Sequence, residues 1–279
     1  MSVTSSAASC ISVAYDGQVT NLEDALDSMM KKMQKLLNDL HSDVREMIGE
    51  GPAADPEAFK ERVEYIDDVS DLIKRMVRLV EEVPTMAKDI QGTAPAECKE
   101  WYKMHMLTRK TQLAAVKSDQ KAAEERAKME LKFKQADSKE PLVAFDGHVG
   151  SPNMALDYGM DSIQRLMNNL HMDMRKLASL TEQEIDPDED YKESVEFAER
   201  STDIVTKLVW LLERVNMLVA GFLGKVPNEC KAWHAEHVAE RKAALVVDKA
   251  VHIAAANQAK LALRAQLSSP DGGAAHGSC

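Results

Sequence analysis

The chain has 279 residues, 44% of them hydrophobic and 29% charged, which is enough apolar material to bury a core and too much for intrinsic disorder. Its formal net charge of −11 opposes nucleic-acid phosphate or an anionic membrane as a main partner, because both contacts are driven by clustered Lys and Arg. Aromatics make up only 5% and glycine and proline are sparse, so the expected fold class is all-α.

Residues 1–12 (MSVTSSAASCIS) lack the charged and apolar regions of a signal peptide and are expected to form a flexible N-terminus without an import signal. Four widely spaced cysteines fit reduced thiols in the cytoplasm or nucleus better than a disulfide framework. At Val13 begins VAYDGQV, which returns as VAFDGHV at Val143, an offset of 130 residues. The same offset relates Ala25-Leu26-Asp27 to Ala155-Leu156-Asp157, and His41 and Arg45 to His171 and Arg175. Beyond Asp55-Pro56 and Asp186-Pro187 the offset becomes 132. PAECKEW at Pro95 then matches PNECKAW at Pro227, and His105 and Arg109 match His237 and Arg241. An insertion confined to a loop, with matches on both sides, marks a duplicated folded unit. The expected domains are helical repeat 1 over 13–136, a linker over 137–142, helical repeat 2 over 143–267 and a disordered tail over 268–279.

Within the first repeat, Leu22, Leu26, Met29, Met33, Leu36, Leu40, Val44 and Met47 fall at spacings of three and four and draw one stripe along a helix ended by Gly49, Gly51 and Pro52. A second helix follows the cap residue Asp55 and Pro56, with the stripe Phe59, Val63, Ile66, Ile73, Val77, Val80 and Val83 and one small gap at Ser70. Pro84 ends or kinks it near Val83. Asn216 stands at the matching place in the second repeat, so no break is expected there. The third helices start at Pro95 and Pro227 and run to about residues 135 and 267 through Ala-, Lys- and Glu-rich stretches that read as coiled-coil-like arms. The expectation is two tandem three-helix units, each an antiparallel bundle with a long third helix. No stretch has the ~18 consecutive apolar residues of a membrane span.

The sharpest chemical constellation is P-x-E-C-K-x-W with a histidine seven residues past the cysteine. On a helix this puts Cys98 on the face of His105, and Cys230 on that of His237. Brought together, two sulfurs and two imidazoles are the ligand set of a structural zinc. Without dense CxxC spacing, the favoured reading is that the cysteine and tryptophan are core residues where the third helix begins, with the histidine near the seam. His41 and Asp43, two apart, point to different sides of a helix. The acidic run 186–190 is read as helix-start charge, and the methionine stripe (Met29, Met30, Met33, Met47) as core filling. No phosphate-binding loop, nucleophile elbow or HExxH motif occurs, so neither an enzyme nor a cofactor is expected.

The segment DEDYKESVEFAERSTDIVTKLVWLLERV, which starts at Asp188 and is followed by a short loop, a proline and a third helix, resembles the small helical Mediator head subunit of the Surfeit-locus-five family. The likeness is fainter over Phe59 to Val83. It implies a transcription scaffold that pairs with another helical subunit, with Tyr191, Val195, Val205, Leu208, Leu211 and Leu212 on or near the seam. The function expected is therefore a non-enzymatic helical scaffold or adaptor that binds other helical proteins or itself through amphipathic helices, without direct nucleic-acid contact. The alternative is a carrier holding a small hydrophobic ligand or metal between the repeats, in a cavity lined by Met, Trp and His.

Overall fold

In the computed structural model, which describes residues 11–50, 53, 55–138, 141–180 and 187–268, the first described element is a hairpin. Asp16 and Gly17 both take left-handed backbone angles (φ 49° and 76°), the two-residue turn whose twist matches that of paired strands. Strand β1 (Ser12–Tyr15) accordingly pairs antiparallel with β2 (Gln18–Asn21), with Val13 opposite Thr20 and Tyr15 opposite Gln18. Asp146 and Gly147 (φ 44° and 80°) do the same for β3 (Val143–Phe145) and β4 (His148–Gly150). The all-α expectation holds for the bulk of the chain, and these hairpins add to it. The molecule is mostly helical, with two small two-stranded sheets among the described residues. Residues 1–10 of the expected flexible N-terminus, residues 139 and 140 of the linker, and residues 269–279 of the tail lie outside the described part.

Helix α1 (Leu22–Glu50) starts at Asn21, whose side-chain oxygen accepts from the Asp24 backbone N–H at 2.7 Å; it runs through Gly49, which was expected to help end it, and Gly51 and Pro52 lie outside the described residues. Its buried face contains the predicted stripe except that Leu37 is buried and Leu36 only half-buried. Asp55 caps α2 (Pro56–Glu81) by accepting from the N–H groups of Glu57 and Ala58, with Pro56 in the first turn. Pro84 lacks the N–H that α2 would need to continue, so the chain restarts as α3 (Val83–Gln91), the interruption expected there. In the second half α5 (Pro152–Leu180) is followed by α6 (Pro187–Gly221), which passes Asn216 unbroken. The acidic run opens α6 with Asp188, Glu189 and Asp190 in its first turn; Asp186 lies outside the described residues. The third helices are α4 (Lys99–Asp137) and α7 (Lys231–Ser268), the latter preceded by a single 3₁₀ turn at Asn228–Cys230.

The two halves do not form separate bundles. Helix α1 packs on α5, α2 and α3 pack on α6, and α5 packs on α6, so one buried cluster runs from Val13 to Val219 and draws on both halves. Burial of the Leu, Met and Val side chains of these faces is the main stabilising term, at about 1.5–3 kcal/mol for each fully buried large side chain. The third helices depart further from the expectation, because neither completes a bundle with the helices before it. Helix α4 lies on α6 and on the hairpin β3–β4. Helix α7 lies on α2 and on the hairpin β1–β2. The hairpin turns are shaped for this contact: a Cβ on Gly17 would meet the Cβ of Ala255 at 3.3 Å, and one on Gly147 that of Ala123 at 3.5 Å. Each glycine admits an alanine of the crossing helix.

Candidate functional site

The residues singled out from the sequence converge on two seats, one for each third helix. In the first, Cys98 at the start of α4 is buried with Trp101, Tyr102, Tyr191 and Val195. Its thiol lies 3.8 Å from the backbone oxygen of Asp188 and 3.5 Å from that residue's carboxylate. Burial, reinforced by the Asp188 carboxylate, pushes the Cys98 thiol up from its ordinary value and keeps it protonated. In the second seat Cys230 is buried with Phe59, Val63 and Trp233, and its thiol lies 3.5 Å from the backbone oxygen of Pro56.

One turn further along, each tryptophan stacks on the histidine four residues later. The ring centres are 4.8 Å apart for Trp101 and His105, and 4.9 Å for Trp233 and His237. The imidazoles are then engaged by carboxylates of the facing helix, His105 by Glu199 at 2.9 Å and His237 by Asp67 at 2.7 Å. Arg109 extends the first contact to Glu199 and Asp203, and Arg241 extends the second to Asp67 and Asp71. Burial opposes ionisation of Asp71, but hydrogen bonds and attraction from Arg241 and Lys74 outweigh it and hold its carboxyl below the ordinary range. The Asp71 hydrogen bond in turn pushes the Arg241 guanidinium up.

This geometry separates the four candidate metal ligands. Cys98 and Cys230 sit in different buried clusters, the imidazoles face carboxylates, and no group of three or more His, Cys, Asp or Glu converges on a metal position among the described residues. The cysteine is buried at the start of each third helix, as expected, whereas the tryptophan is only half-buried beside it and stacks on the histidine at the seam. A protonated, buried thiol is also a poor nucleophile.

The same chemistry recurs in the centre of the molecule, between α1 and α5. His41 lies 3.0 Å from Asp157, to which Arg45 donates two hydrogen bonds of 2.7 and 3.0 Å. In the opposite sense His171 lies 3.6 Å from Asp27, and Arg175 reaches Asp27 and Glu23. Burial opposes ionisation of Asp157, yet Arg45 and His41 together lower its carboxyl, while burial and the nearby Arg175 lower the His171 imidazole. His41 and Asp43 are not partners; the backbone oxygen of Asp43 instead accepts from the Tyr65 hydroxyl at 2.7 Å.

The six predicted seam residues are all buried within the chain. Tyr191 and Val195 form the floor under Cys98, whereas Val205, Leu208, Leu211 and Leu212 belong to the central core. Sequence reasoning missed the carboxylates opposite the histidines. Their signal was present: His-x-x-x-Arg occurs at His41, His105, His171 and His237, and acidic pairs at the same spacing occur at Glu23/Asp27, Asp67/Asp71 and Glu199/Asp203. On helices, both patterns place their charges on one face.

The seams leave the outer sides of the third helices uncovered. Among the described residues, seven exposed large hydrophobic side chains lie on α4 and six on α7, against four on the rest of the chain. The residues most exposed there include Met104, Leu107 and Phe133 on α4 and Val246, Val247 and Leu261 on α7. A separate open groove of about 340 Å³ lies between β3–β4 and α5, with Phe145, His148, Met154 and Tyr158 in its walls. No helix of the described residues is long and apolar enough to cross a membrane. The class defined by these features is a mostly helical, two-hairpin protein whose third helices are seated on the opposite halves. Comparison with protein-family models, curated proteins and solved structures finds no match.

Proposed function

We propose that this chain is a non-enzymatic helical scaffold or adaptor of the cytoplasm or nucleus, which binds other helical proteins through the outer faces of α4 and α7. In this reading the chain is two copies of one unit, each ending in a long helix held by the other copy. The observation that carries it is the concentration of exposed apolar side chains on those two helices. Soluble proteins rarely expose apolar patches of this kind unless something covers them. The predicted seam residues then act indirectly: Tyr191 and Val195 fix α4 in place, so that its far side is presented as a rigid rod. The resemblance of the segment from Asp188 to Val215 to the Surfeit-locus-five family makes a transcription assembly the first setting to examine.

The test is affinity purification from the source cell with wild-type chain, an α7 variant (Val247→Asp with Val251→Asp) and an α4 variant (Leu107→Asp with Phe133→Asp). All four positions are exposed, so the fold is expected to survive, with circular dichroism as the check. The expected result is a stoichiometric helical partner lost from at least one variant. An unchanged set of co-purifying proteins in both, or a monomer without stable partner, overturns the proposal.

The groove beside β3–β4 favours a second reading, a carrier of a small hydrophobic ligand, because its size and mostly apolar walls suit one. Native mass spectrometry of protein purified from its source distinguishes the two: a constant added mass of a few hundred daltons, lost on Gly159→Ala, supports the carrier.

A further inference from the structure

The proposed scaffold role leaves the chemistry of the partner open, and the outer face of α7 narrows it. Val246, Val247, Val251, Ile253 and Leu261 are all exposed there, with Ala243, Ala250 and Ala254 between them. At about 100° per residue, Lys242, Lys249, Lys260 and Arg264 fall within a narrow sector along one edge of that face. All four are exposed, and none is held by an ion pair or side-chain hydrogen bond among the described contacts. Asp248 is the one carboxylate between Lys242 and Ala265, and it is turned to the inner side, where it pairs with Arg78. In a chain of net charge −11, this edge is a local reversal of sign running about 33 Å along the helix.

We infer that the outer face of α7 docks an amphipathic helix of a partner protein whose apolar stripe is edged by carboxylates. The inference rests on the scaffold reading. Three features set the occupant. Alanines between the valines let a second helix axis approach closely, whereas a bulky face would hold it off. The cationic edge selects acidic flanks, since like charges facing each other across an interface repel and opposite charges steer association. A second copy of α7 packed antiparallel is disfavoured, because that arrangement brings the two cationic edges together. The matching edge of α4 keeps the four cations, as Lys110, Lys117, Lys128 and Lys132, but places Glu125, which pairs with Lys128, where α7 has Asn257, and Asp119 in the apolar stripe where α7 has Val251, so the uncompensated cationic edge belongs to α7. The absence of aromatic residues between Ala243 and Ala265 argues for a helix over a lipid surface, whose binders anchor with Trp or Phe.

The test uses the full chain and two labelled 24-residue helical peptides that share a leucine stripe, one flanked by glutamates and the other by lysines, titrated by fluorescence anisotropy. Phosphatidylserine vesicles form a third arm, read by co-sedimentation. The glutamate peptide is expected to bind at least about tenfold more tightly than the lysine peptide, a difference of about 1.4 kcal/mol. The preference should weaken with added salt. The charge-reversed variant K242E/K249E/K260E/R264E, altered at exposed positions only, should invert it. Equal binding of both peptides, a preference unchanged in the reversed variant, or binding of vesicles but neither peptide overturns the inference. The scaffold reading survives such a result if the native partner is still lost from the apolar variants.

Discussion

Ser201 is fully buried and its hydroxyl lacks a hydrogen-bond partner, while Val69, the position matching it at the 132-residue offset, is an equally buried hydrocarbon. An unsatisfied buried hydroxyl carries its full desolvation cost, so Ser201→Ala is expected to stabilise the fold by about 1 kcal/mol, read as a raised urea midpoint at constant slope. Gly159 behaves oppositely. A Cβ there would lie 2.9 Å from the Phe145 ring, which itself packs in the core, so Gly159→Ala must displace that ring at a cost of about 1–3 kcal/mol and reshape the groove wall. His171 makes stability depend on pH. Because its folded-state pKa is lowered, the unfolded chain takes up the proton first, and stability falls as pH drops below about 6.5. His171→Asn is expected to flatten urea stability between pH 7 and 5, and an unaltered slope would exclude this imidazole as a source.

At the scale of elements, each third helix is held near its start by one cluster of ion pairs and hydrogen bonds, and the acids supply the leverage. Asp71→Asn keeps the size of the side chain but leaves the Arg241 guanidinium with Asp67 as its one remaining carboxylate, at about 1–3 kcal/mol. Amide exchange is expected to quicken over the first turns of α7 and to stay unchanged in α4, whose seat is built from Glu199 and Asp203. Because the folded pKa of Asp71 is lowered, its contribution is complete above about pH 3.9 and is lost as pH falls through the lowered value. The bounds of α2 were legible because local chemistry decides them, whereas the helices expected from Pro95 and Pro227 begin only at Lys99 and Lys231. Asp55-Pro56 caps α2, Pro84 interrupts it, and spacings of three and four name the buried faces. The hairpins were also legible in principle: Asp-Gly between short alternating runs is the strongest local turn signal. The exchange of third helices was not legible, because a stripe states that a face will be covered without stating by which segment. The facing of His-x-x-x-Arg on acidic pairs came closest to showing it.

For the whole molecule, the exchange means that the chain between the halves carries little of the load. A protease site placed in 139–140 and cut after folding is expected to leave two fragments that co-elute in size exclusion, since α1 packs on α5 and each fragment holds the other's last helix. Separation on cleavage would show that those seams do not suffice alone. Contacts such as His237 with Asp67 and Arg78 with Asp248 join residues 170 apart, and loops of that length slow folding far more than they weaken the folded state. During synthesis the order of emergence matters too. When the first half has left the ribosome, α4 still awaits α6 and β3–β4, while α2 and β1–β2 await α7, the last helix of the described chain. Until then a nascent molecule is both an unclaimed rod and an empty cradle, and two such molecules on one messenger are complementary to each other as well as to their own remaining halves.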